Sequence, residues 1–145
     1  MRISTRGRYA LRAMVDLAQH GDYGPVSRQE ISERQEISAD YLAQLFTHLQ
    51  SAGLVEGVKG PGGGYRLIQD SSLIRAGDVV RAVEGPIAVV QCTLPCPDEG
   101  PVCSRVDRCV THLLWKRVSD AVTEVPDSVT LKDLADEAEQ LGGKG

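Results

Sequence analysis

Four cysteines and a histidine are the residues in this chain best placed to do chemistry. Cys92, Cys96, Cys103 and Cys109 fall within eighteen residues, and His112 follows. Their spacing is Cys-x3-Cys-x6-Cys-x5-Cys-x2-His. Thiolates with one imidazole suit zinc or an iron–sulfur cluster. The spacing is not the paired Cys-x-x-Cys of a zinc ribbon, which counts against zinc without removing it. A thiol–disulfide switch competes with both. One cysteine alone is usually an inert buried thiol, but four in a polar loop beside a histidine do not fit that reading. Replacing thiolate by neutral imidazole raises a cluster's reduction potential, so a His/Cys set is compatible with a tuned 2Fe–2S centre. Cys109 and His112, three apart at the start of an expected helix, share one face.

A second set of residues points to nucleic acid. Lys59-Gly60-Pro61-Gly62-Gly63-Gly64 is glycine-rich, but Tyr65-Arg66-Leu67-Ile68 follows it. A phosphate-binding loop would need Lys-Ser/Thr and a helix at that point. Short strands at 54–58 and 65–68 make the loop a hairpin instead. Ahead of it, apolar spacing predicts a helix over 5–20 capped by Thr5, and Gly24-Pro25 breaks the chain. A capping-box pattern at Ser27–Glu30 starts a short helix to about Arg34. Ser38 caps a third helix with Tyr41, Leu42, Leu45, Phe46 and Leu49 on its apolar face, and Gly53 ends it. Helix, short helix, helix and hairpin is the order of a winged helix-turn-helix.

The third helix then turns Ala39, Asp40, Ala43, Gln44, Thr47 and His48 outward. Ser38, Gln44 and Thr47 can bond base edges or phosphates, glutamine suits adenine, and Tyr41 can be core or a phosphate donor. The wing adds Lys59, Gly62, Gly63 and Arg66. Arg2, Arg6, Arg8 and Arg12 precede any acid in the sequence and form a basic first helix, with Arg2 and Arg8 taken as its DNA contacts.

The second half reads as a short helix from Ala76 to Val83, a loop over 91–108, a long helix from about Arg108 to Val125 ended by Pro126, and a Thr130-capped helix from Leu131 to Leu141. The expected fold is mainly α with a small β-hairpin: a winged helix-turn-helix at residues 1–70, then a cluster-binding loop and dimerisation helices at 71–145. The 145 residues are 41% hydrophobic and 25% charged, which suits a packed core. The net charge of −4 would argue against nucleic acid if it were evenly spread. It is not: residues 1–66 carry net +1 and residues 67–145 carry net −5. No apolar run approaches the roughly 18 residues of a membrane span. Arginines interrupt every apolar run at the N-terminus, so no signal peptide is read there and a cytoplasmic protein with reduced thiols is expected. No Ser/His/Asp set or paired carboxylates suggest catalysis, and His20 and His48 stand alone.

These residues together resemble the IscR-type, or BadM-type, family of bacterial transcription regulators, over almost the whole chain. The resemblance rests on Met1-Arg2-Ile3, Gly7-Arg8-Tyr9-Ala10, Ile31-Ser32-Glu33-Arg34-Gln35, Ile37-Ser38, Tyr41-Leu42 and Gln44-Leu45-Phe46. It continues through Gly53-Leu54-Val55, Gly60-Pro61-Gly62-Gly63-Gly64-Tyr65 and Cys109-Val110-Thr111-His112-Leu113-Leu114-Trp115. It implies a homodimer on a pseudo-palindromic double-stranded DNA site, with crossing C-terminal helices and a cluster held by three cysteines and, in the IscR branch, a histidine. Carried over, the metal ligands are Cys92, Cys103, Cys109 and His112. The loop between Cys92 and Cys103 is longer than in that branch and holds the extra Cys96. Cys96 therefore stands as a substitute for Cys92, and a four-cysteine site without His112 stays open. On the residues and the resemblance together, an iron–sulfur cluster is expected, 2Fe–2S ahead of 4Fe–4S. The implied function is cluster-controlled, non-enzymatic transcription regulation. The alternatives are a cluster-free thiol/disulfide repressor of the same fold and a metal-carrying accessory protein.

Overall fold

The computed structural model describes residues 4–87 and 109–142. Arg2, Cys92, Cys96, Cys103 and the expected loop over 91–108 lie outside the described residues. The elements run α1 (Thr5–His20), α2 (Arg28–Gln35), α3 (Ala39–Ser51), β1 (Val55–Val58), β2 (Gly64–Leu67), α4 (Ala76–Glu84), α5 (Val110–Ser128) and α6 (Leu131–Gly142).

Local chemistry accounts for most boundaries. The Ser27 hydroxyl accepts from the Glu30 N–H at 3.1 Å, and the Ser38 hydroxyl from the Tyr41 N–H at 3.1 Å. Each satisfies one of the orphan donors at a helix start. The turn between α2 and α3 passes through Glu36 in the left-handed region, while the Ser32 hydroxyl donates to the Ile37 carbonyl at 2.6 Å. At α1 the cap is Ser4 rather than the expected Thr5, and the Ser4 hydroxyl donates to Glu84 instead of closing the helix.

The long helix also departs from expectation. It continues through Pro126 to Ser128. Proline removes one donor, but this late in the helix only one backbone bond is lost. Asp127 is paired with Arg81 of α4, and Ser128 Oγ donates to the Val125 carbonyl at 2.8 Å. These contacts hold the last turn.

One apolar cluster spans the expected boundary at residue 70. Met14 and Leu17 of α1 and Leu45, Phe46 and Leu49 of α3 pack in the same core as Ile74, Val79, Val83 and Leu131. Backbone bonds between Ala76 and Val129 (2.8 Å) and between Leu131 and Ile74 (2.9 Å) tie the starts of α4 and α6 together. Among the described residues, Asp16 of α1 is the charged residue in this interior, at 0% exposure. Arg34 of α2 reaches it with two guanidinium nitrogens, at 2.9 and 2.7 Å, and the Gln35 amide donates at 3.0 Å. The hydrogen bond from Arg34 to Asp16 raises the guanidinium pKa further above its ordinary value.

Two surface carboxylates set an acid limit. Asp70 accepts from the hydroxyl and N–H of Ser72, and Asp133 from the N–H of Thr130 in a reciprocal cap on α6. Hydrogen bonding to the charged form lowers both pKa values. Their contribution is therefore complete above the ordinary carboxylate range and is lost as pH falls through the lowered folded values. An Asp70→Asn/Asp133→Asn variant is expected to lose less stability than the parent on acidification below about pH 4. Urea midpoints across that range test it; parallel curves for the two proteins would sink the assignment.

Candidate DNA interface and metal centre

The recognition surface is built from α2, α3 and the hairpin. The core face of α3 is Leu42, Leu45, Phe46 and Leu49, all buried. Helical period then forces Asp40, Gln44, Thr47 and His48 outward, and all four are exposed. Thr47 Oγ1 donates to the Ala43 carbonyl at 2.9 Å, which leaves its lone pairs facing out. Ser38 uses one lone pair on its cap and keeps its hydroxyl proton for a further acceptor. Tyr41 is half-buried, in edge contact with Tyr9 at a centroid distance of 5.9 Å.

The hairpin is anchored to α3 rather than projecting freely. β1 and β2 pair antiparallel, Val55 with Leu67 through Val58 with Gly64. The Tyr65 ring stacks on Phe46 at 4.0 Å, and its backbone exchanges hydrogen bonds with Val26 at 2.8 and 2.9 Å. A Cβ on Gly64 would overlap the Val26 carbonyl, so this close approach requires glycine. Gly62 has φ +75°, which a side chain rarely adopts. Lys59 is exposed at the rim of the turn.

A cleft of about 510 Å³ opens between these parts, lined by Ser27–Gln29, Ala39, Gln50, Val58–Gly60 and Gly63–Tyr65 among others. It brings Lys59 and Gly63 together with the ends of the recognition helix. Arg66 lies apart from it. Strand alternation sends Arg66 to the other side of β2 from Tyr65, where it pairs across the hairpin with Glu56. Arg8 is exposed on α1. Arg6 and Arg12, also in the basic first helix, have protein partners: Arg6 donates to the Val83 carbonyl at 3.1 Å, and Arg12 to the Gln35 carbonyl. Arg28 lines the cleft and was not among the residues expected at the DNA surface. Its position directly after a helix cap, one element before the recognition helix, was the available signal.

Two of the expected metal ligands stand at the start of α5. Cys109 is the N-cap and His112 lies in the first turn, with its N–H donating to the Cys109 carbonyl at 3.1 Å. The Cys109 sulfur lies 3.0 Å from Thr111 Oγ1. Both residues are half-buried. A thiol and an imidazole one helical turn apart, both within reach of solvent, fit donation to iron or zinc. Among the described residues no third histidine, cysteine or carboxylate joins them. Beyond this start, α5 carries large apolar residues facing outward: Leu113, Leu114 (50% exposed), Val122 and Val125 (65% exposed).

A capped two-helix turn, an outward-facing third helix and a glycine hairpin docked against it make this molecule a winged helix-turn-helix regulator. The chain belongs to the Rrf2 family, described as an iron-dependent transcriptional regulator, whose sequence profile matches residues 3–137. It is 44% identical over 145 residues to the HTH-type transcriptional regulator IscR of Photorhabdus laumondii, covering all of this chain and 85% of that protein. Among solved structures it resembles CymR (YrzC), the global cysteine regulator of B. subtilis, with 42% identity, a TM-score of 0.77 and coverage of 94% and 98% of the two chains. It also resembles T. potens IscR, with 39% identity, a TM-score of 0.78 and coverage of 98% and 91%. The protein is thus an IscR-like DNA-binding transcription regulator, and its relatives are named as regulators rather than enzymes. No described helix is long and apolar enough to cross a membrane.

Proposed function

We propose that the protein is a homodimer whose grip on a pseudo-palindromic DNA site is set by an iron–sulfur cluster. The observation that carries this reading is α5: the helix that begins at Cys109 and His112 has exposed apolar residues at Leu114, Val122 and Val125, with no cover from the described residues. A second copy laid along those residues would bury them and place the two cluster sites beside the dimer seam. The ligands are Cys92, Cys103, Cys109 and His112, with Cys96 as the substitute for Cys92. The cluster is 2Fe–2S, for which a histidine ligand is suited.

DNA is read by Ser38, Gln44 and Thr47 of each recognition helix in successive major grooves, with Tyr41, Arg2 and Arg8 on phosphates. Lys59, Gly62 and Gly63 approach the flanking groove. Arg66 is the weakest member of the expected set, because Glu56 already neutralises it. The cluster, when bound, adds a charge and a cross-link at the junction between the loop and α5. What the chain's own residues contribute is the rigid path from there: Asp127 of α5 binds Arg81 of α4, and α4 packs on the helices that carry the reading head. Such a path supports a coupling of about 1–3 kcal/mol between cluster state and DNA affinity.

Anaerobic purification with iron and sulfide assays tests the cluster. Coloured protein that loses both iron and sulfide in Cys109→Ala is expected. Colourless wild-type protein that resists reconstitution, yet changes DNA affinity with thiol oxidation, would replace this reading with the thiol/disulfide one. The comparable likeness to the cysteine regulator CymR makes that the second reading.

A further inference from the structure

The cleft between the start of α2 and the wing carries a role that the winged-helix pattern alone does not assign. Arg28 and Lys59 both line it, together with Gln29 and Gln50, and among the described residues no aspartate or glutamate does. This is notable in a chain with 20 acids against 16 lysines and arginines. Four other cations of the same half are satisfied within the protein, Arg34 by Asp16, Arg66 by Glu56, Arg12 by the Gln35 carbonyl and Arg6 by the Val83 carbonyl, while Arg8 is exposed on α1. Two cations therefore face one groove whose described lining holds no carboxylate; of the two amides there, Gln29 donates to Glu33 at 3.0 Å. A groove of this kind suits a polyanion that brings its own negative charge and displaces counterions on arrival.

We propose that Arg28 is a DNA-backbone contact, and that the sugar–phosphate strand beside the recognition helix runs through this cleft with Arg28 and Lys59 each holding one phosphate. The inference rests on the DNA-binding reading and adds to it a residue on α2. The guanidinium fork can hold a phosphate through two parallel N–H bonds, whereas Lys59 acts as a point charge. Gly60, Gly63 and Gly64 line the cleft with backbone alone, so the strand can approach the hairpin closely. Arg28 confers no sequence preference; it fixes the register of the head on the duplex.

The test is a salt titration of full-length protein on a mixed-sequence duplex of about 30 base pairs, three helical turns, so that phosphate contacts dominate. Arg28→Gln is expected to weaken binding about tenfold and to flatten the salt slope by about one unit per head. Arg28→Lys should recover most of the slope, and Lys59→Gln should match Arg28→Gln. An unchanged slope in Arg28→Gln, with wild-type protein binding normally, would overturn the contact and leave the DNA reading intact. Equal losses in the Gln and Lys variants would also overturn it, since charge would not be the cause. Wild-type protein with no affinity for duplex DNA would overturn both readings. Thermal melts of each variant confirm that the comparison is between folded proteins.

Discussion

Leu114→Glu combined with Val125→Glu is expected to turn the proposed dimer into monomers and to weaken binding to a two-half-site DNA by about 10²–10⁴-fold. The two residues lie eleven positions apart, close to three turns, and so share one face of α5. Both are exposed, at 50% and 65%. Nineteen residues at 1.5 Å each give α5 a length of roughly 28 Å, enough for a seam of several turns against a second helix. Two buried carboxylates facing their own copies across such a seam would be desolvated without partners, which no apolar contact offsets. Once the heads separate, each binds its half-site alone and the gain from effective concentration disappears. Sedimentation analysis reads the mass, and fluorescence anisotropy reads the DNA affinity. Lys116→Glu is the control: Lys116 pairs with Asp120 at 3.2 Å on an exposed face and should leave the mass unchanged. A double variant that remains dimeric would show that α5 is not the seam.

Asp16→Ala is expected to destabilise the fold by about 3 kcal/mol, near the lower end for breaking a buried pair because Arg34 keeps some contact with water. For a chain of this size the melting temperature should fall by roughly 10 °C. Asp16 itself has 0% exposure and accepts three hydrogen bonds, two from Arg34 and one from Gln35. Removing it strands a guanidinium and an amide between α1 and α2. Because α2 sets the start of the recognition unit, DNA affinity should also fall at temperatures well below melting. Asp16→Asn keeps the shape and an acceptor for Gln35 but loses the charge, and should fall between the two. Urea denaturation of the three proteins measures the series. A loss in Asp16→Ala no larger than that of a surface substitution would refute the account.

Much of this was legible before folding. Ser27 and Ser38 cap the helices where their types predicted, because capping depends only on a hydroxyl three residues ahead of an N–H. The outward set on α3 follows from period alone once Leu42, Leu45, Phe46 and Leu49 are assigned to the core. What failed to follow depended on residues distant in sequence. Pro126 reads as a stop, yet Arg81, 45 positions earlier, pairs with its neighbour Asp127 and holds the final turn. Arg66 reads as a free wing cation, yet the register of the hairpin sets it opposite Glu56. Arg28 carries only the signal of its place after the Ser27 cap, and it comes to line a cleft only because the wing folds back beside it.

The donor chemistry of the four cysteines and His112, the helix order and the reading face were determined by the sequence itself. Each depends on residue type and on spacings shorter than a few helical turns. Tertiary structure alone decided which cations are left facing solvent and which are spent within the protein. It also decided that a charged Asp16 can sit in the interior, and that the apolar side of α5 is left without cover among the described residues. Those outcomes depend on which surfaces meet, and Coulombic pairing and desolvation act on distances in space, to which distance along the chain is a poor guide.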